Sequence, residues 1–147
     1  MMQKLYAFLA RAPALTGITL AVGDAGPAPG TAGLWCKGVT VLEQRENLLG
    51  TVRQRCRAEF TLRLCLPLPP GDSATAAENA AHLLALQTWV AAECAAGRAP
   101  VFGNADPARE TLRAEQGKLE RAEAGGTAVY TLRLQAEYTQ LYTEEMQ

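Results

Sequence analysis

The chain has 147 residues and a mass of 15.7 kDa, a size typical of one domain. Apolar residues make up 48% and charged residues 20%, which argues against wholesale disorder and against a coiled coil. There are 14 basic and 15 acidic residues, and the net charge of −1 argues against a dedicated nucleic-acid-binding protein. We therefore expect a single domain over residues 1–147.

The chain opens on a predicted helix over residues 2–12. Leu5, Phe8 and Leu9 recur at helical spacing and form one apolar face. Pro13 would end this helix, because a proline disfavours helical geometry in the residue before it.

A β-region follows the helix. Residues 16–22 are expected as a first strand, and the Gly-, Pro- and Ala-rich segment 23–33 as a loop. The main β-region covers residues 34–66. Within it, residues 34–37 predict a short strand, another strand begins at Val39, and residues 47–50 predict a turn.

The last strand of this region alternates between two faces. One face is apolar and consists of Cys56, Ala58, Phe60, Leu62, Leu64 and Leu66. The other is polar and consists of Arg53, Arg55, Arg57, Glu59, Thr61 and Arg63. A period of two residues is typical of an antiparallel strand that is buried on one face.

A long helix and a hairpin complete the chain. The helix is expected over residues 74–96, with Asp72 or Ser73 as its N-cap and Gly97 just beyond its end. The hairpin is expected over residues 109–141. Together these elements predict an α+β fold, a mainly antiparallel sheet with helices packed on one face.

The four cysteines, Cys36, Cys56, Cys65 and Cys94, include no C-x-x-C pair. We expect reduced and mostly buried thiols in a cytoplasmic protein, with a zinc site as the weaker alternative. The N-terminus does not resemble a signal peptide, and no run of apolar residues is long enough to cross a bilayer. We therefore expect no association with a membrane.

The sequence offers little material for catalysis. Ser73 and His82 are the only serine and histidine, and both fall on the predicted helix. Nine residues of helix separate them by about 13 Å, beyond the reach of a nucleophile and its base. No phosphate loop, metalloprotease motif or dinucleotide fingerprint is present. We therefore predict a non-enzymatic protein without catalytic, cofactor-binding or metal-binding residues.

The arginines at positions 53, 55 and 57 are the most distinctive local feature. They form either a solvated face or an interface to an acidic partner or a nucleic-acid channel. Residues 37–63 hold six basic and three acidic residues, a net of +3, whereas residues 110–147 hold four and seven, a net of −3. Separated charge of this kind favours head-to-tail docking of copies, which can close into a ring.

Three stretches together resemble a known family. They are GLWCKGVTVL at 33–42 with NLLG at 47–50, LQTWV at 86–90 with GRAPVFG at 97–103, and GKL at 117–119 with GTAVYTL at 126–132 and AEY at 136–138. They are similar to bacteriophage tail terminators of Gram-positive, clostridial-type prophages. These proteins are also described as minor capsid or tail-completion proteins.

The resemblance implies a virion protein. Its fold would be a small domain with helices on an antiparallel sheet. Copies would form a hexameric ring that caps the tail tube and meets the head–tail connector, with DNA passing through the lumen. The resemblance implies no catalytic residues and no cofactor. The alternatives are a head–tail connector or stopper component, and an unrelated ligand-binding or enzymatic α+β domain.

Within this interpretation we expect roles for individual residues. Arg53, Arg55 and Arg57 would lie first of all at a subunit interface. Trp89 would anchor the long helix on the sheet. Pro100 and Phe102 would shape the turn into the C-terminal hairpin.

Overall fold

The computed structural model describes residues 1–23 and 28–143. The helices and strands within this part of the chain are α1 (Met2–Leu9), β1 (Thr19–Val22), β2 (Thr31–Glu46), β3 (Val52–Pro67), α2 (Ser73–Ala95), β4 (Thr111–Glu123) and β5 (Thr127–Tyr142). Two short 3-10 turns, Pro13–Leu15 and Pro107–Arg109, precede β1 and β4.

The strands form one sheet in the order β1-β2-β3-β5-β4. Strand β1 runs parallel to β2, and the other neighbouring pairs are antiparallel. This arrangement confirms the predicted α+β class with its mainly antiparallel sheet. Strands β3 and β5 lie at the centre and pair along their full length, from Val52 with Tyr142 to Pro67 with Thr127.

The core lies on one face of this sheet. The apolar positions of β3 face it, and β5 adds Tyr130, Leu132, Leu134, Ala136 and Tyr138. The helices contribute Leu5, Phe8, Leu9, Leu83, Leu86 and Val90 to the same cluster. The alternation in β3 therefore predicted the buried face correctly, because both central strands bury every second side chain.

Local signals fix the ends of α2 as expected. The carboxylate of Asp72 accepts a hydrogen bond from the backbone N–H of Thr75 at 3.0 Å, which makes it the N-cap. Gly97 follows the helix with φ of +76°, a conformation that glycine adopts without steric cost.

Several predicted boundaries were wrong. Helix α1 ends at Leu9 instead of residue 12, and Pro13 starts a 3-10 turn. Strand β2 is continuous from Thr31 to Glu46, so residues 31–33 belong to a strand and not to the predicted loop. Of that loop, residues 24–27 lie outside the described part. Register shifts at Cys36–Gly38 and Val41–Glu43 interrupt the alternation, which explains why this strand read as two.

Trp89 and Phe102 both pack against the core. The ring of Trp89 lies against that of Phe8 of α1, at 4.8 Å between centroids, so the indole joins the two helices. Its role in anchoring α2 on the sheet stays a prediction. Phe102 lies against the core between Phe60 and Tyr138, with centroid distances of 6.5 and 6.4 Å. It thereby fastens the segment before β4 to the central strands.

Candidate interface

The three arginines of β3 lie on the sheet face opposite the helices. They alternate with the buried side chains of the same strand and are partly exposed. The sequence therefore placed them correctly on one face. Their ion-pair and hydrogen-bond partners differ, however, so the three guanidinium groups are not chemically equivalent.

Two of the three are paired with carboxylates of the same chain. Arg53 forms an ion pair with Asp106, in the loop before β4. Arg57 lies 3.7 Å from a carboxylate oxygen of Glu137 on β5. Each of these charges is therefore at least partly balanced inside the molecule.

The partners of Arg55 within the described residues are neutral groups. One guanidinium nitrogen donates to the hydroxyl of Thr139 at 3.2 Å, and the other donates to the backbone carbonyl of Arg109 at 2.9 Å. Thr139 is itself buried. No carboxylate among the described residues pairs with Arg55, so its charge remains available to an anion.

Arg55 belongs to a cluster of four arginines, which we call the arginine pocket. This cavity of about 390 Å³ is lined by Arg45, Arg53, Arg55, Arg109, Glu43 and Thr139. Glu43 accepts from Arg45 at 2.5 Å, and Asp106 neutralises Arg53. Arg55 and Arg109 have no ion pair among the described residues. Guanidinium groups bind carboxylates and phosphates with charge-assisted hydrogen bonds, so the pocket is suited to an oxyanion.

Further along the same face, charges pair across the strands. Arg133 on β5 donates to Glu59 on β3 at 2.7 Å, and Arg63 on β3 lies 3.3 Å from Glu120 on β4. Residues 37–63, which are net basic, and residues 110–147, which are net acidic, therefore lie side by side in one sheet. This pairing weakens the argument that charge separation alone drives copies together. Exposed pairs of this kind contribute little to stability.

The tip of the β2–β3 hairpin, residues 47–51, exposes two leucines. The side-chain oxygen of Asn47 accepts from the backbone N–H groups of Leu49 and Thr51, at 2.9 and 3.0 Å, and so holds the turn. Leu48 and Leu49 have relative exposures of 105% and 87%. The turn was predicted from the sequence, but the two leucines were missed as a candidate contact surface, although turns are usually polar.

The two sides of the sheet differ in how far their outer edges are covered. Strand β1 covers β2 only from Thr31 to Leu34. Beyond that point, no strand among the described residues pairs with the outer edge of β2. Trp35, Val39, Val41 and Leu42 are at least 40% exposed along this stretch, which we call the open edge.

Strand β4 is instead covered by α2. The thiol of Cys94 contacts the carbonyl of Leu112 at 3.3 Å, and the Gln87 side chain accepts from the backbone N–H of Gly117 at 3.1 Å. Gly117 lies within a register shift that interrupts pairing with β5. A covering helix prevents further strands from adding to the edge of a sheet. Among the described residues, such a helix is present on the β4 side and not beside the outer edge of β2.

The cysteines and the histidine do not come together in one metal-binding cluster within the described residues. The structure contains no disulfide among the described cysteines, and Cys56 and Cys65 are buried whereas Cys36 is exposed. His82 lies on α2, the helix predicted to hold it, and is partly buried. No group of three metal-ligating side chains occurs among the described residues.

The chain matches no protein-family model and no curated protein sequence. Within residues 1–23 and 28–143, no helix is long and apolar enough to cross a membrane.

Proposed function

We propose that this protein is a non-enzymatic structural component of a phage tail, a tail terminator whose copies assemble into a ring. One observation carries the proposal. The β2–β3 hairpin presents an open edge and two fully exposed leucines that find no partner in the described chain. Unpaired strand edges and exposed apolar side chains are features of surfaces that bind other proteins.

The resemblance of the sequence to tail terminators supplies the biological setting. In that setting the ring is a hexamer that caps the tail tube and meets the head–tail connector. DNA would pass through its lumen without sequence-specific contacts, and the protein would reside in the virion. The arginine pocket fits this proposal as a receptor for an acidic side chain of a neighbouring subunit.

The mass of the protein in solution tests the proposal. Light scattering after size-exclusion chromatography should give a multiple of 15.7 kDa, and negative-stain microscopy should show rings. The same preparation should bind one end of tubes assembled from a phage tail-tube protein.

Two results would count against this assignment. A protein that remains monomeric both alone and with tail tubes is not a terminator. A ring that binds the head–tail connector and ignores the tubes would instead be a stopper component.

A further inference from the structure

An apolar pocket lies at the end of the sheet farthest from the hairpin tip. It has a volume of about 490 Å³ and forms where β3 ends, α2 begins and β4 turns into β5. Its apolar wall consists of Leu68, Pro69, Pro70, Ala76, Ala122 and Ala124. We call it the proline pocket.

The tip of a given copy cannot enter the proline pocket of the same copy. Strand β3 separates them with 16 residues, from Val52 beside the tip to Pro67 beside the pocket. At about 3.3 Å per residue the strand is about 50 Å long. The tip and the pocket are therefore at opposite ends of the molecule, and any contact between them joins two copies.

We propose that Leu48 and Leu49 of one copy insert into the proline pocket of the next copy. The inference rests on the proposed ring function and names the subunit contact that builds the ring. The tip projects two exposed apolar side chains, and the pocket offers an apolar cavity that nothing in the described chain fills. Insertion removes both surfaces from water.

Charge contributes little to this contact. Two carboxylates, Asp72 and Glu123, line the proline pocket, and both are already engaged, one as the cap of α2 and the other with Arg121. The arginines beside the tip already have carboxylate partners in the same chain, and Glu46 lies next to them. The contact is therefore an apolar one.

This contact joins two different surfaces and is heterologous. Each copy donates a tip at one end and offers a pocket at the other. Repetition of such a contact closes into a ring when the rotation between copies allows it. A two-fold contact between two tips would instead give a dimer and stop.

Two variants and their mixture test the inference. The tip variant carries Leu48→Asp and Leu49→Asp, and the pocket variant carries Ala122→Arg. All three positions are exposed, so the substitutions leave the core intact. Leu84→Asp, at an exposed leucine of α2, is the matched control. Native mass spectrometry gives the mass of each preparation.

The wild type and the control are expected to form rings, and each interface variant alone should be a monomer. The mixture should form a 1:1 dimer and nothing larger, because one intact tip still finds one intact pocket. A tip variant that still forms rings overturns the insertion, leaves the ring proposal standing, and assigns the tip to another partner. A mixture without dimers also overturns the insertion. A wild type that remains monomeric both alone and with tail tubes overturns both.

Discussion

Asn79 on α2 donates a hydrogen bond to the hydroxyl of Tyr130 on β5 at 3.2 Å, and a second to the carbonyl of Pro67 at 2.9 Å. One buried amide thus joins the long helix to the end of β3 and to the neighbouring central strand. The proline pocket begins one residue beyond Pro67, so this amide also positions its wall.

Replacing Asn79 with alanine should destabilise the fold. The substitution leaves the hydroxyl of the buried Tyr130 without this donor, and a buried unsatisfied polar group costs about 1–3 kcal/mol. Urea denaturation measures the loss. Glu78→Ala, one residue earlier and exposed, is the control and should change the free energy of unfolding little. Equal stability of the two variants would contradict the assigned role.

Gly103→Ala should lower the stability of the fold. A Cβ at this position would overlap the backbone carbonyl oxygen of Thr139, so the two segments must move apart. Overpacking of this kind costs about 1–3 kcal/mol. Gly125→Ala is the matched control because a Cβ there meets nothing within 4 Å. The midpoint of thermal unfolding should fall for Gly103→Ala and not for Gly125→Ala. Similar midpoints for both variants would show that the loop moves at no cost to make room for the added methyl group.

The sequence predicted the central strands well for a simple physical reason. Strands β3 and β5 each bury one face and expose the other, and regular pairing preserves the period of two along both. The capped helix was also predictable, because Asp72 and Gly97 carry their signals locally.

The edge of the sheet was predicted less well. Strand β2 contains two register shifts and is exposed on both faces beyond Cys36, so neither periodicity nor burial marks it as one strand. The partners of Arg53 and Arg55 also could not be predicted from the sequence. Asp106 and Thr139 lie 53 and 84 residues away in the chain, and only the fold brings them together.

The cysteines should differ sharply in reactivity towards iodoacetamide at pH 8. Burial raises the pKa of the Cys56 and Cys65 thiols, which lowers their thiolate fraction and also shields them from reagent. Cys36 is exposed and should be alkylated first. Peptide mapping of the native protein measures the order. Labelling of Cys56 ahead of Cys36 would mean that the central strands open readily.

Reversal of charge in the arginine pocket should weaken assembly. Arg55→Glu removes the guanidinium that lacks a carboxylate partner in the described chain and places a like charge opposite any incoming acid. Dissociation of the ring on dilution should therefore occur at a higher protein concentration. Raising the salt should also weaken the wild-type ring, since exposed charges are screened.

A control variant and a triple charge reversal test this prediction further. Arg113→Glu reverses an exposed arginine that has no ion pair among the described residues, and it should leave the ring intact. Joint reversal of Arg53, Arg55 and Arg57 should abolish the ring. A ring that survives the triple reversal excludes these arginines from the subunit interface.

We propose that this protein assembles through the β2–β3 hairpin, and native mass spectrometry of the wild type beside the Leu48→Asp, Leu49→Asp variant is the decisive test. The wild type should have the mass of a closed ring, a multiple of 15.7 kDa, and the variant should have the mass of a monomer. Identical masses for the two proteins would rule out assembly through the hairpin.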